Sequence, residues 1–122
     1  MKVNSKIHGI IDYLVVVFLW LSPTIFELPN ITSTFTYVLG CIHLTLTILT
    51  NFELGLIKVI PLKIHGMIEL IVSISLIAVG FYFNTIEGEL ARNFYIVFGI
   101  AIFATWLITD YKLIEKNKAK HL

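Results

Sequence analysis

Charge is the property that this sequence has least of. Charged side chains make up 14% of its 122 residues, whereas soluble domains carry about 25%. Apolar side chains make up 57%, which excludes an ordinary soluble domain and indicates an integral membrane protein whose main partner is the lipid bilayer. No basic patch interleaved with surface aromatic residues is present in the sequence, so nothing in it indicates a nucleic-acid partner.

Cysteine and the familiar catalytic motifs are also scarce. The single cysteine, Cys41, lies within an apolar run and cannot form an intrachain disulfide. The sequence contains no phosphate-binding glycine loop, no cysteine cluster and no hydrolase nucleophile motif. The sequence therefore indicates no particular enzyme class, and it favours a protein that is not an enzyme.

Four apolar runs divide the chain, at residues 7–26, 34–52, 62–83 and 90–111. Each has the length of about 20 residues that a helix needs to cross a bilayer. Only a helix satisfies its own backbone hydrogen bonds within an isolated segment in lipid. We therefore predict an all-α protein, a four-transmembrane-helix bundle that occupies residues 1–122 as a single integral membrane domain.

The basic residues predict how the bundle is oriented. Eight of the nine lie in the N-terminal segment, in the middle loop around Lys58 and in the C-terminal tail, and the exception is Arg92. Because basic residues concentrate in cytoplasmic segments, both termini and the middle loop are predicted to face the cytoplasm. The expected location is the inner (plasma) membrane, which the chain crosses several times.

The chain also contains an internal repeat. The heptapeptide at residues 6–12, Lys-Ile-His-Gly-Ile-Ile-Asp, recurs 57 residues later as Lys-Ile-His-Gly-Met-Ile-Glu. Helices two and four align at an offset of 59, which pairs Thr50 with Thr109. We predict two tandem two-helix repeats, 1–57 and 58–122, related by a pseudo-two-fold axis along the membrane normal.

The end of the first span suggests a family. The segment Leu21-Ser22-Pro23-Thr24-Ile25-Phe26 follows a helix that begins with His8-Gly9 and Asp12. This arrangement resembles the SPW-repeat family of small bacterial membrane proteins, although Thr24 stands where the family has its tryptophan. The resemblance implies a membrane fold of repeated helical pairs and implies no activity.

The repeated heptapeptide also predicts a polar centre. Residues four apart share one face of a helix, so His8 projects with Asp12, and His65 with Glu69. Both pairs enter the membrane from the cytoplasmic side, and the small residues Gly9 and Gly66 beside them favour close helix packing. The predicted site residues are His8, Asp12, His65 and Glu69, with His43, Asn51 and Asp110 as second choices.

Three functions remain open for this centre. It is a structural lock of hydrogen bonds between helices, or a proton- or ion-coupled transport element, because ionisable groups inside membranes commonly mark such paths. Alternatively, it binds a divalent metal ion or a small ligand, with His8, Asp12, His65 and Glu69 as the metal ligands. Transport would require an assembly of several copies, and a symmetric dimer is the expected homo-oligomer.

Overall fold

The computed structural model of this chain describes residues 3–109 and 111. Over these residues it contains four α-helices: α1 (Ser5–Ile25), α2 (Asn30–Leu49), α3 (Leu62–Glu87) and α4 (Glu89–Ile108). All four are long and apolar enough to cross a membrane. The prediction of an all-α, multi-pass membrane protein is therefore confirmed at this level.

The helices form two hairpins. α1 packs mainly against α2, and α3 packs mainly against α4. A single residue, Gly88, separates α3 from α4, and its positive φ of 99° reverses the chain there. The second link, residues 50–61, is longer and joins the two hairpins.

Two helices end earlier than their apolar runs predict. α2 ends at Leu49 and α4 at Ile108, each three residues before the end of its run. Beyond these ends Thr50 and Thr109 have extended backbone, and each forms an isolated parallel bridge, to Ile60 and Val3 respectively. The backbone of these residues pairs with a neighbouring segment instead of continuing the helix.

The opposite ends of α2 and α3 extend beyond the apolar runs. The carboxylate of Glu87, at the end of α3, accepts hydrogen bonds from the backbone N–H of Ile31 at 2.9 Å and of Thr32 at 2.6 Å. These N–H groups belong to the first turn of α2, where they have no partner within the helix. The carboxylate therefore lets the polar residues before position 34 join α2.

The apolar core lies towards the end of the bundle where these caps are found. Its buried side chains include Leu19, Leu76, Phe83 and Tyr95. The buried hydroxyl of Tyr95 shares a 2.5 Å hydrogen bond with the hydroxyl of Thr36. Large apolar side chains elsewhere on all four helices are exposed, as expected for surfaces that face lipid.

Candidate metal centre

The two copies of the heptapeptide meet in the bundle. His8 Nε2 lies 3.3 Å from Asp12 Oδ2 and 3.1 Å from Glu69 Oε2. His65 Nε2 lies 3.1 Å from Asp12 Oδ2 and 3.9 Å from Glu69 Oε2. The two imidazoles and two carboxylates thus alternate around a ring of four side chains. We call these four residues, His8, Asp12, His65 and Glu69, the quartet. Each of the four residues is at most 5% exposed.

The starts of α1 and α3 place the four side chains at one depth. α1 begins at Ser5 and is capped by Asn4, whose side chain accepts a hydrogen bond from the backbone N–H of Ile7. α3 begins at Leu62, immediately after Pro61. Both histidines are consequently the fourth residue of their helix, and each carboxylate follows one turn later. Equal starting points explain why two pairs from different helices face each other.

A threonine fixes the orientation of each imidazole. His8 Nδ1 lies 2.8 Å from Thr109 Oγ1, and His65 Nδ1 lies 2.8 Å from Thr50 Oγ1. Each hydroxyl donates its only proton to a backbone carbonyl one turn back, at 2.7 Å for Thr109 and 2.6 Å for Thr50. The hydroxyl must therefore accept from the imidazole, so Nδ1 carries a proton in both histidines. In a neutral imidazole, Nε2 then presents a lone pair to the quartet.

The isolated bridges hold these threonines in position. Thr109 pairs with Val3, and Thr50 pairs with Ile60. In each case the bridge partner lies five residues before the histidine that the threonine contacts. The early ends of α2 and α4 are thus part of the site, because they turn the two hydroxyls inward. The sequence pairs Thr50 with Thr109, but neither threonine is among the predicted site residues.

Two further polar side chains contact the quartet. Tyr111 donates a 2.7 Å hydrogen bond to Glu69 Oε2, and its aromatic group makes an edge contact with the imidazole of His8. Burial raises the pKa of the Tyr111 phenol above its ordinary value, and the nearby Glu69 carboxylate raises it further. The hydroxyl therefore remains a donor at neutral pH. The sequence alone suggests only an interfacial aromatic residue at this position.

His43 approaches from α2. Its Nε2 lies 3.7 Å from Asp12 Oδ1, the oxygen of Asp12 that is not used by the quartet. Asn51, the other predicted residue from this part of the chain, lies beyond the end of α2, and its side chain is exposed. Thr50 faces inward in its place. Asp110 lies outside the described residues.

The two glycines of the repeat face aromatic side chains. A methyl group on Gly9 would overlap the aromatic group of Phe52, and one on Gly66 would lie 3.1 Å from Cε1 of Tyr111. The sequence suggests that these glycines bring helices together. In the structure the groups that approach them are aromatic side chains.

Three ligand atoms of the quartet suit a divalent metal ion. His8, Asp12 and His65 each offer a ligand atom, and these atoms all lie within 4.8 Å of one another. A tetrahedral zinc ion with bonds of about 2.0–2.1 Å would separate its ligand atoms by about 3.3 Å. Three of the four histidine–carboxylate separations, at 3.1, 3.1 and 3.3 Å, are close to this value, whereas the fourth, between His65 and Glu69, is 3.9 Å, and Glu69 is not part of the group of three. Nitrogen and oxygen ligands without thiolate suit zinc and the neighbouring first-row metals.

Three buried atoms at the centre lack an aligned hydrogen bond. Within the described part of the chain, His8 Nε2, Asp12 Oδ2 and His43 Nε2 approach charged groups but have no hydrogen-bond partner. A buried polar atom without such a partner costs about 1–3 kcal/mol. These atoms are therefore the ones that a bound cation would satisfy.

No protein-family model, curated protein or solved structure matches this chain. The geometry of the centre is consequently the basis for a functional assignment.

Proposed function

We propose that this chain is a small multi-pass membrane protein that binds one divalent transition-metal ion, of the zinc class, in the quartet. The carrying observation is that His8 Nε2 and Asp12 Oδ2 are buried, face each other across the quartet and lack an aligned hydrogen bond to any described residue, while threonines hold both imidazoles by Nδ1. Metal-binding histidines in proteins almost always donate their second N–H in this way, which fixes the tautomer. His8, Asp12, His65 and Glu69 are the proposed ligands.

The charge of the site supports a dication over a purely structural role. Asp12 and Glu69 bring two carboxylates into a buried, apolar bundle, where uncompensated charge is costly. One divalent ion with two neutral imidazoles balances them. A structural lock would require aligned hydrogen bonds for every member of the network, because a partly satisfied network is less stable than an apolar one. The buried atoms that lack an aligned hydrogen bond argue against that alternative.

We also propose that the chain arose by duplication of a two-helix unit, 1–57 and 58–122. Support comes from contacts that occur once in each half of the chain. Adding 57 to a position in the α1 region, or 59 to a position in the α2 region, gives the equivalent position in the second half. The bridge from Val3 to Thr109 corresponds to that from Ile60 to Thr50. The histidine–threonine bonds and the glycine–aromatic contacts correspond likewise. Membership of the SPW-repeat family is part of this proposal and rests on residues 21–26.

The proposed location is the inner (plasma) membrane, with both termini and the quartet on the cytoplasmic side and a symmetric dimer as the assembly. The basic residues of the sequence support this orientation. Glu27 and Leu56 are exposed near opposite ends of the bundle. In a Cys41→Ser background, a membrane-impermeant maleimide should label Glu27→Cys in intact cells, and Leu56→Cys only after permeabilisation. The reverse pattern would contradict the orientation.

Elemental analysis and zinc titration of the purified protein in detergent test the metal assignment. We expect one tight zinc equivalent per chain in the wild type, and its loss in His8→Ala and His65→Ala. Glu89→Gln removes an exposed carboxylate away from the quartet and should retain the equivalent. A folded wild type with neither co-purified metal nor saturable zinc binding would overturn the proposal.

A further inference from the structure

A small cavity borders the quartet inside the bundle. Its volume is about 80 Å³, and side chains from all four helices line it. His43, His65 and Glu69 form its polar end, and the remaining walls are apolar. The volume is enough for two or three water molecules at about 30 Å³ each. Water at the polar end would have several hydrogen-bonding partners there.

Asp12 lies between the quartet and His43, which lines this cavity. Its Oδ2 belongs to the quartet, whereas its Oδ1 faces His43 Nε2 at 3.7 Å. His43 Nε2 is buried and has no hydrogen-bond partner within the described residues. Asp12 thus presents Oδ2 to the quartet and Oδ1 to His43. On the His43 side, the buried Nε2 without a hydrogen-bond partner belongs to a residue that lines the cavity.

His43 breaks the correspondence between the two halves of the chain. The residue 59 positions later is Ile102, an aliphatic side chain that lines the same cavity. The quartet is complete without His43, so neither the duplication nor the charge of the quartet requires a histidine there. A separate role beside Asp12 accounts for it.

We propose that Asp12 serves two cation positions: the quartet, and a second position between its Oδ1 and His43 Nε2, beside the cavity that His43 lines. This inference rests on the metal-binding function proposed above. With two protein ligands, and water from the cavity as the others, the second position binds weakly and exchanges fast. It is the loading position, from which an ion passes to the four ligands of the quartet. Carboxylates bridge metal positions about 3.5–4 Å apart in many two-metal sites.

Zinc binding to the purified, metal-free protein tests this inference by stoichiometry and by rate. At high zinc concentration the wild type should take up a weak second equivalent, which His43→Ile should lose. Stopped-flow transfer from a chromophoric zinc chelator should be slower in His43→Ile by about tenfold or more, the scale on which one supporting group acts at metal sites. Leu46→Ile, a volume-conserving change in the wall of the same cavity, should match the wild type in both measurements.

The outcomes separate this inference from the function on which it depends. A His43→Ile protein with the loading rate and stoichiometry of the wild type would overturn the second position and leave the quartet standing. Loss of all zinc binding in a folded His43→Ile protein would make His43 a ligand of the quartet itself, which also overturns a separate position. A wild type that binds no zinc would overturn both proposals.

Discussion

Removal of the hydroxyl groups behind the two histidines provides the sharpest test of how the centre is built. Thr50→Val and Thr109→Val are nearly isosteric and leave all four members of the quartet in place. Each change removes the acceptor of one imidazole Nδ1–H, at 2.8 Å in both cases. If the threonines fix the tautomer, both variants should lose stability and metal affinity together.

The magnitude follows from two separate effects of the substitution. The first is a buried Nδ1–H left without a partner, because His8 and His65 are at most 2% exposed; this costs about 1–3 kcal/mol. The second is the lost bond from the threonine hydroxyl to the backbone carbonyl one turn back. Only the first effect concerns the imidazole. For zinc, loss of such an outer partner typically weakens binding about 10–100-fold.

The chain contains matched controls for the second effect. Thr45 donates to the carbonyl of Cys41, and Thr105 donates to the carbonyl of Ala101, also one turn back. Thr45 is exposed and Thr105 is half-buried. Thr45→Val and Thr105→Val therefore remove the same kind of helical bond without touching an imidazole. Unfolding of the metal-free protein by denaturant in detergent, together with zinc titration, should be measured for all four variants.

The comparison has a clear refuting result. Thr50→Val should unfold more readily than Thr45→Val by about 1–3 kcal/mol and bind zinc at least about tenfold more weakly. Thr109→Val and Thr105→Val should differ in the same way. Equal stability and equal affinity within each pair would show that the hydroxyl groups do not orient the histidines, and the argument for a lone pair on Nε2 would fail.

Three further changes act on other contacts, and each is measured by unfolding in detergent. Gly9→Ala should destabilise the protein by about 1–3 kcal/mol because the methyl group overlaps Phe52; Phe52→Leu in the same chain should restore part of the loss, and no restoration would contradict the contact. Tyr111→Phe removes a hydrogen bond to a carboxylate and should cost about 1.5–3 kcal/mol. Because the pKa of Tyr111 is raised on folding, that difference should be full below about pH 10 and shrink above it; a difference that grows there would refute the assignment. Glu87→Gln weakens the cap of α2 and should destabilise the protein, whereas Glu89→Gln two residues later should destabilise it less; equal effects would contradict the cap.

The quartet could be predicted from sequence because only local rules determine it. Spacing of four within a helix sets which side chains project together. Recurrence of the heptapeptide, with hydropathy that forces both copies into helices, then brings the two pairs to the same depth. For the same reason the four helices were predictable, since length and apolar content decide whether a segment can cross a bilayer.

The supporting residues could not be predicted because helix ends depend on pairing between distant segments. On a continuous α2, Asn51 would share a face with Thr47 and His43, four and eight residues before it. The bridge between Thr50 and Ile60 ends the helix at Leu49, and the inward position passes to Thr50. Hydropathy contains no information on this bridge. The alignment of Thr50 with Thr109 was the one available signal.

The charge balance of the quartet leads to a last prediction, which separates a metal centre from a structural lock. Asp12 and Glu69 require two compensating positive charges in either case. In a metal centre one dication supplies both, so the folded state gains the binding free energy of the ion. At a free zinc concentration about 100 times the Kd, the wild type should be stabilised against unfolding by about 2.7 kcal/mol. In Asp12→Asn with Glu69→Gln the two charges are absent and zinc should add nothing. A structural lock holds its charge as protons on the histidines and binds no ion tightly, so zinc would leave the wild type and the double variant equally unaffected.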